Sequence, residues 1–191
     1  MSETSEKIEL KNVRLSFAEL WQAKAFQEGQ APKYQASFLL DPSDKDHKKM
    51  IKTVKAEADR IKKAQWGDKP PKLKGECFGD GDDLDTVYDG YEGMFFMRAN
   101  KNAADGRVTI VNSDNSPLTV DDGKPYNGCY VDATLTLWTQ DNSFGKRING
   151  NLRAIRFRGD GEAFGRPAIE ADDEFSEAPE DGADDDGFLD D

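Results

Sequence analysis

The sequence predicts a mainly β domain, a small, partly open barrel of five or more strands with one inserted helix, followed by a disordered acidic tail. Several short segments alternate apolar and polar residues with the period of two that is typical of strands, and one longer segment carries apolar residues at helical spacing. The last 22 residues hold twelve of the 38 acidic residues and no Lys or Arg. We therefore divide the chain into a folded domain, residues 1–169, and a tail, residues 170–191.

The first two predicted strands precede the helix. Residues 8–17 keep their apolar side chains on one face as far as Leu10, but the parity changes at Val13, which predicts a bulge near Asn12. Residues 34–40 alternate Tyr, Ala, Phe and Leu with Gln and Ser, as a half-buried strand does.

The helix is predicted over residues 44–66. Ser43 or Asp44 can cap its first free N–H groups, and Gly67 stands just beyond its last turn. One apolar stripe follows the helical period and is formed by Met50, Ile51, Val54, Ala58 and Ile61. Lysines occupy much of the remaining surface, so one face of the helix is predicted to be buried.

Four further strands follow a loop rich in Gly, Asp and Pro over residues 67–93. They span residues 94–101, 107–112, 129–139 and 152–158. The first two flank Asp105-Gly106, a turn signal that predicts a hairpin between them. The last two are joined through a turn at residues 143–146, which predicts a second hairpin.

Aromatic and basic side chains share strand faces that point away from the core. The odd positions of residues 129–139 are apolar, so the even positions place Tyr130 and Trp138 outside, while Phe96 and Arg98 share a face of their own strand. Rings that stack on bases, together with cations that follow phosphates, form a sequence-tolerant binding site for single strands. The predicted DNA-binding residues are Phe96, Arg98, Tyr130, Trp138, Lys146, Arg147, Arg156 and Arg158.

These residues also have structural alternatives. Phe96 and Trp138 can pack under the helix or a loop. Arg156 and Arg158 can pair with surface carboxylates. The clustering of Lys146, Arg147, Arg156 and Arg158 within thirteen residues, beside a Gly-containing turn, favours phosphate contact.

Composition argues against several other functions. One His and two widely separated Cys cannot supply a structural zinc site. Residues 79–85 resemble a calcium loop, but Tyr91 stands where that motif needs its bidentate glutamate. No nucleophile with a His partner is apparent, so we expect no metal, no cofactor and no catalysis. The N-terminus carries no apolar leader and no apolar run reaches the length of a membrane span, which predicts a cytoplasmic protein.

The tail accounts for the acidity of the chain. The 26 basic residues are matched by 26 acidic residues before position 170, so the net charge of −12 belongs to the tail. Such a segment is predicted to be disordered. Its end surrounds a Phe-Leu pair with acids, and thereby resembles a single strand of nucleic acid in charge and in aromatic character. The predicted partner-binding residues are Asp184, Asp185, Asp186, Phe188, Leu189, Asp190 and Asp191.

Nearly the whole chain resembles bacteriophage single-stranded-DNA-binding proteins. The resemblance rests on the barrel with its inserted helix, on residues 128–131 leading into the Trp138 strand, on residues 144–147 before the last strand, and on residues 159–165 before the tail. It implies an OB-fold-like, partly open five-stranded barrel that coats single strands during phage replication and recombination. It also implies replication partners recruited by the acidic tail with Phe188 as its anchor, a location in the host cytoplasm, and a possible homodimer.

The leading hypothesis is therefore non-catalytic, sequence-independent binding of single-stranded DNA, with a tail that competes for the groove until DNA displaces it. The alternative is an acidic DNA mimic or anti-host inhibitor, whose body would not bind DNA once the tail is removed. A phage nuclease or recombination enzyme is a third hypothesis, and it predicts metal-dependent turnover.

Overall fold

A computed structural model describes residues 2–86 and 88–165. Within them the chain forms eight strands and one α-helix, in an order that places the helix after the second strand. The elements are β1 (Ile8–Lys24), β2 (Lys33–Leu40), α1 (Lys45–Trp66), β3 (Gly75–Glu76), β4 (Phe78–Asp80), β5 (Phe95–Asn102), β6 (Thr109–Val111), β7 (Tyr130–Asn142) and β8 (Gly145–Gly159). The predicted tail, residues 170–191, lies outside the described residues.

Five strands form a ring in the order β1, β2, β5, β8, β7. β1 pairs antiparallel with both β2 and β7, β2 with β5, and β7 with β8. The ring is not a clean barrel, because β5 and β8 meet in a single parallel pair, Asn100 with Asn151. The segment of β3 and β4 fills this seam, since Cys77 N–H donates to Ile148 O and Arg98 N–H donates to Cys77 O. The prediction of a mainly β, partly open barrel with one inserted helix is confirmed.

β1 changes direction at two irregularities. Against β7 its register shifts between Leu10 and Val13, and Asn12 takes a φ of 51°. The Asp132 carboxylate accepts a hydrogen bond from Asn12 N–H at 2.9 Å and so satisfies the donor that the bulge leaves free. The predicted bulge is therefore confirmed. A second shift against β2 surrounds Phe17, whose φ is 45°.

The helix begins and ends as predicted. The Asp44 carboxylate accepts from the backbone N–H groups of Asp46 and His47, and Gly67 ends α1 with a φ of 79°. Val54, Ala58 and Ile61 are buried against the ring. No helix within the described residues is long and apolar enough to cross a membrane.

The core lies inside the ring. The predicted apolar face of β7 is confirmed, because Val131, Ala133, Leu135 and Leu137 are all at most 2% exposed. The buried side chains of β8 stand at even-numbered positions as far as Leu152 and at odd-numbered positions from Ile155. The register with β7 shifts between these two residues, which marks a bulge. This bulge keeps Arg147 and Arg156 on the same outer side of β8, although their numbers differ in parity.

The predicted hairpin between residues 94–101 and 107–112 is wrong. β6 pairs in parallel with β8, with Ile110 opposite Ile155. The chain does turn where Asp105-Gly106 predicts it, through a short 3-10 helix and a Gly106 φ of 98°. However, a local turn signal determines only where the chain changes direction and not which strand the next segment pairs with. Here β6 pairs with the free edge of β8.

Candidate nucleic-acid interface

Four aromatic side chains form a continuous group on the outer side of β1, β2 and β5. We call Phe17, Tyr88, Tyr91 and Phe96 the aromatic cluster. Its ring centroids lie 4.8 Å apart for Phe17 and Tyr88, 5.5 Å for Tyr88 and Tyr91, and 6.2 Å for Tyr91 and Phe96. Phe17 is 45% exposed and Tyr88 is 39% exposed, whereas Tyr91 and Phe96 are buried beneath them. The cluster thus presents two accessible rings on a buried aromatic base.

Local backbone geometry places the exposed rings. At the second β1 irregularity the positive φ of Phe17 departs from ordinary strand geometry, and the side chain remains accessible on the outer side. Tyr88 and Tyr91 belong to the connection between β4 and β5, which folds back over the sheet. Two acids of the calcium-like segment organise this connection, since Asp80 accepts from Asp82 N–H and Asp82 accepts from Gly93 N–H. Among the described residues no three His, Cys, Asp or Glu side chains are grouped so that they could hold a metal ion.

Arg98 extends the aromatic cluster with a positive charge. Its guanidinium carbon lies 4.7 Å from the centroid of Phe96, within cation–π distance, and the residue is exposed. No ion pair to Arg98 or Arg147 is formed within residues 2–86 and 88–165. Arg147 lies over Gly75 in the neighbouring β3, where an added methyl group would stand 3.0 Å from its Nη1. Within the described part of the chain, neither guanidinium is therefore neutralised by a carboxylate.

Phe96 occupies a buried position. It is 5% exposed and packs with Leu39 and Tyr91, while Arg98 covers part of its ring. Parity correctly places Phe96 on the outer side, but the β4–β5 connection then covers it. In this arrangement the ring supports Tyr91, and its stacking on a base stays a prediction that requires the ring to be uncovered.

The predicted cations of β8 are largely paired. Asp132 is 5% exposed at its side chain and holds Arg156 Nη2 at 2.6 Å and Arg158 Nη1 at 3.1 Å. We call these three residues the Asp132 ion-pair cluster. Burial alone would raise the pKa of Asp132, but the Asn12 N–H and the two guanidinium groups outweigh it and hold the pKa below its ordinary value. These arginines therefore correspond to the structural alternative, pairing with carboxylates.

Lys146 is also engaged. Its Nζ lies 2.6 Å from both carboxylate oxygens of Asp141, which accepts a further hydrogen bond from Trp66 Nε1 at 2.8 Å. These contacts tie the β7–β8 turn to the end of α1, and they lower the pKa of Asp141. Phe144 at the tip of the turn is 76% exposed.

The two predicted aromatic residues of β7 differ in their surroundings. Tyr130 is 36% exposed and lines a cavity of about 260 Å³ with Arg14 and Leu39. Trp138 is half-buried between Thr4, which bridges to it, and Asn149 of β8. Tyr130 is thereby near the aromatic cluster, whereas Trp138 lies toward the opposite end of β7.

Sequence reasoning did not identify Phe17 and Tyr88 as site residues. Phe17 is the last apolar position of the first predicted strand, residues 8–17, and Tyr88 lies in the predicted loop of residues 67–93. Four aromatic residues lie close together in residues 88–96, at the end of a Gly- and Asp-rich stretch, and they are the available signal in the sequence. The predicted tail residues, from Asp184 to Asp191, lie outside the described residues.

The sequence of this chain matches a known protein family over most of its length. Residues 6–189 match the family of the single-stranded-DNA-binding protein of Enterobacter phage Enc34. The chain belongs to this family. A curated relative is putative protein p50 of Acyrthosiphon pisum secondary endosymbiont phage 1, which is 36% identical over 186 residues, covering 91% of this chain and 96% of the relative.

Solved structures of the Enc34 protein share the fold. The structure of that protein in complex with single-stranded DNA is 28% identical, has a TM-score of 0.74, and covers 83% of this chain and 89% of its own. A second Enc34 structure gives 27% identity and a TM-score of 0.71, over 88% of this chain and 89% of its own. The single-stranded-DNA-binding protein of bacteriophage T7 is 13% identical with a TM-score of 0.51, over 96% and 97% of the two chains, and shows a likeness of fold alone.

Proposed function

We propose that this chain binds single-stranded DNA without catalysis and without sequence preference, during phage DNA replication or recombination in the host cytoplasm. The observation that carries the proposal is the exposed Phe17–Tyr88 pair supported by buried rings beside Arg98, which forms no ion pair within residues 2–86 and 88–165. Membership of the Enc34 family, one of whose structures contains single-stranded DNA, supports the same ligand.

The aromatic cluster suits a sequence-tolerant ligand. Every base has a π-face, so two accessible rings can receive bases of any identity, and each stack contributes about 1–3 kcal/mol. The buried Tyr91 and Phe96 hold the exposed rings in place, which reduces the entropy lost when a base is bound.

Cations beside the cluster provide the contacts to phosphate. Arg98 lies on β5 and Arg147 two strands away across β3, a separation of roughly 10 Å at the usual strand spacing. Tyr130 and Trp138 remain candidates for further stacking. Lys146, Arg156 and Arg158 would reach phosphates only by exchanging their carboxylate partners, so we assign them a secondary role.

The acidic tail has a regulatory role in this proposal. Its charge and its Phe188–Leu189 pair let it compete with DNA for the cationic aromatic surface, and binding of DNA then frees it for replication proteins of the phage or the host. A homodimer would bring two such tails onto one DNA strand.

The deciding experiment is a titration of a fluorescently labelled oligothymidylate with the full chain and with a chain ending at residue 169. We expect the shortened chain to bind at least as tightly as the full chain. For both, the logarithm of the affinity should fall with the logarithm of salt concentration, by about 0.7 for each phosphate contacted. A shortened chain that is folded but does not bind would refute the proposal and favour the acidic DNA mimic.

A further inference from the structure

The last described segment, residues 160–165, lies directly against the proposed binding surface. Phe164 N–H donates to Asn127 O at 3.0 Å, and its ring lies 4.1 Å from the Arg14 guanidinium carbon. The ring also packs against the buried group of Leu39, Tyr91 and Phe96. An aromatic ring that touches both a guanidinium and the aromatic cluster occupies the kind of position that a nucleobase would take.

Phe164 lines one cavity and contacts residues that line another. On one side is the cavity of about 260 Å³ that Arg14, Gly90 and Tyr130 line. On the other side is a cavity of about 290 Å³ lined by Phe17, Tyr88, Asn127 and Phe164 itself. The ring rests on the backbone of Gly90, where an added methyl group would stand 2.5 Å from Phe164 Cε1.

We propose that the depression beneath Phe164 is a nucleobase subsite, which the free protein fills with its own Phe164 and which single-stranded DNA opens by displacing that ring. This inference rests on the proposed function and assigns a subsite within it. Displacement would join Tyr130 and the aromatic cluster into one groove.

The chemistry of the depression favours a base over a phosphate. Arg14 offers its guanidinium face to a π-system, and Leu39 supplies an apolar wall. Asn127 Oδ1 is engaged by Ala18 N–H, which leaves the amide NH₂ of Asn127 as a donor for a base carbonyl. Asp41 and Asp44 line the adjoining cavity, and their negative charge would repel a phosphate.

The segment is attached so that only its end needs to move. The Tyr126 hydroxyl contacts Asp160 Oδ1 at 2.8 Å and both backbone polar groups of Gly161 at 3.2 Å, which anchors the beginning of the segment. Beyond this anchor the described backbone bonds are Arg14 Nη2 to Glu162 O and Phe164 N–H to Asn127 O. Glu162 and Ala163 are exposed. Displacement therefore breaks two hydrogen bonds and exposes one ring, which the stacking of an incoming base can offset.

Hydrogen–deuterium exchange of the full chain, with and without an oligothymidylate of about 20 nucleotides, tests the inference. We expect residues 88–98 to exchange more slowly in the complex, because DNA covers them, and residues 160–165 to exchange faster, because their backbone bonds open. Unchanged or slower exchange in residues 160–165, with protection in residues 88–98, would overturn the subsite and leave the proposed function intact. If the oligonucleotide does not bind and no peptide changes, both fail.

Phe164→Ala provides a second, independent measurement. Removal of the self-occupying ring should tighten oligothymidylate binding by about threefold or more, because DNA no longer has to displace the ring before a base can enter the subsite. The gain should persist in a chain ending at residue 169, which retains Phe164 and lacks the tail. Val120→Ala, at a 62% exposed site outside both cavities, is the control and should leave affinity unchanged. Unchanged or weaker binding by folded Phe164→Ala would contradict the inference.

Discussion

The two outer sides of the ring differ in how they use arginine. On the side of β1, β2 and β5, Arg98 lies over the ring of Phe96 and forms no ion pair within the described part of the chain. On the side of β7 and β8, Arg156 and Arg158 converge on the buried carboxylate of Asp132. In the proposed function, arginine therefore serves a ligand surface on one side of the ring, whereas on the other side it stabilises the fold.

The difference shows that a cation count is a poor guide to a binding surface. The clustering of Lys146, Arg147, Arg156 and Arg158 in the sequence indicates a phosphate-binding surface, yet three of these four cations are paired with carboxylates. A paired arginine presents less positive potential, and a phosphate would have to replace a partner that is already well placed. Free cations beside exposed rings are the more informative combination.

The largest effect is expected from removal of both exposed rings. Phe17→Ala with Tyr88→Ala should weaken oligothymidylate binding by about 3 kcal/mol, on the order of a hundredfold, because the stacking surface is lost. Fluorescence anisotropy measures the affinity, and circular dichroism checks the fold. Tyr88→Phe keeps the ring and should bind as the unaltered chain does. A loss below twofold in the folded double variant would remove the aromatic cluster from the site.

Loss of the Asp132 ion-pair cluster should lower the stability of the fold and leave DNA binding nearly unchanged. Asp132→Asn should lower the free energy of unfolding by about 2 kcal/mol, because it removes the partner of two arginines and weakens the acceptor at the β1 bulge. Binding of oligothymidylate should stay within about twofold of the unaltered chain. Urea unfolding measures the free energy of unfolding, and fluorescence anisotropy measures the affinity for oligothymidylate. A large loss of affinity at unchanged stability would show that this side of the ring binds DNA after all.

Arg98 and Arg156 offer a direct comparison between the two sides. Arg98→Gln should weaken binding by about tenfold at low salt and reduce the salt slope by about 0.7, as expected for the loss of one phosphate contact. Arg156→Gln should change the affinity by less than about twofold, because its charge is already neutralised by Asp132. Titrations at three salt concentrations measure both effects. Equal losses for the two variants would abolish the distinction drawn between the two sides.

The smallest effect concerns acid stability. The pKa of Asp132 is lowered from 3.8 in the folded state, so its contribution to stability is fully present above that ordinary value and is lost as the pH falls through the lower folded pKa. The difference in melting temperature between the unaltered chain and Asp132→Asn should therefore be constant above about pH 5 and shrink below about pH 4. Thermal unfolding at graded pH measures it. A difference that grows on acidification would show that the ion pairs do not stabilise the fold.

Local patterns predicted most of the elements. The cap at Asp44, the stop at Gly67 and the bulge near Asn12 depend on residues that are near one another in sequence, and each is confirmed. The parity of β7 likewise identifies its buried face. The pairing of β6 could not be obtained in this way, because its partner β8 lies more than 40 residues further along the chain.

The candidate site was predicted less completely than the fold. Arg98 and Tyr130 lie near the aromatic cluster, as their outward parity indicates, whereas Phe96 is outward but covered. Phe17 and Tyr88 were missed, because the exposure of one depends on a bulge and that of the other on how a loop folds back. The roles of the tail residues remain predictions.

The sequence alone determined that the net charge of −12 belongs to residues 170–191, and it determined the helix with its caps and the faces of the main strands. These features depend on composition and on short-range periodicity. Only the tertiary structure decided which arginines form ion pairs with carboxylates of the described residues and which rings are exposed. Asp132 meets Arg156 across 24 positions, and the Tyr88–Tyr91 connection covers Phe96 after folding back over the sheet. Ion pairing and burial depend on distances between segments that are remote in sequence, and a linear pattern contains no such distances.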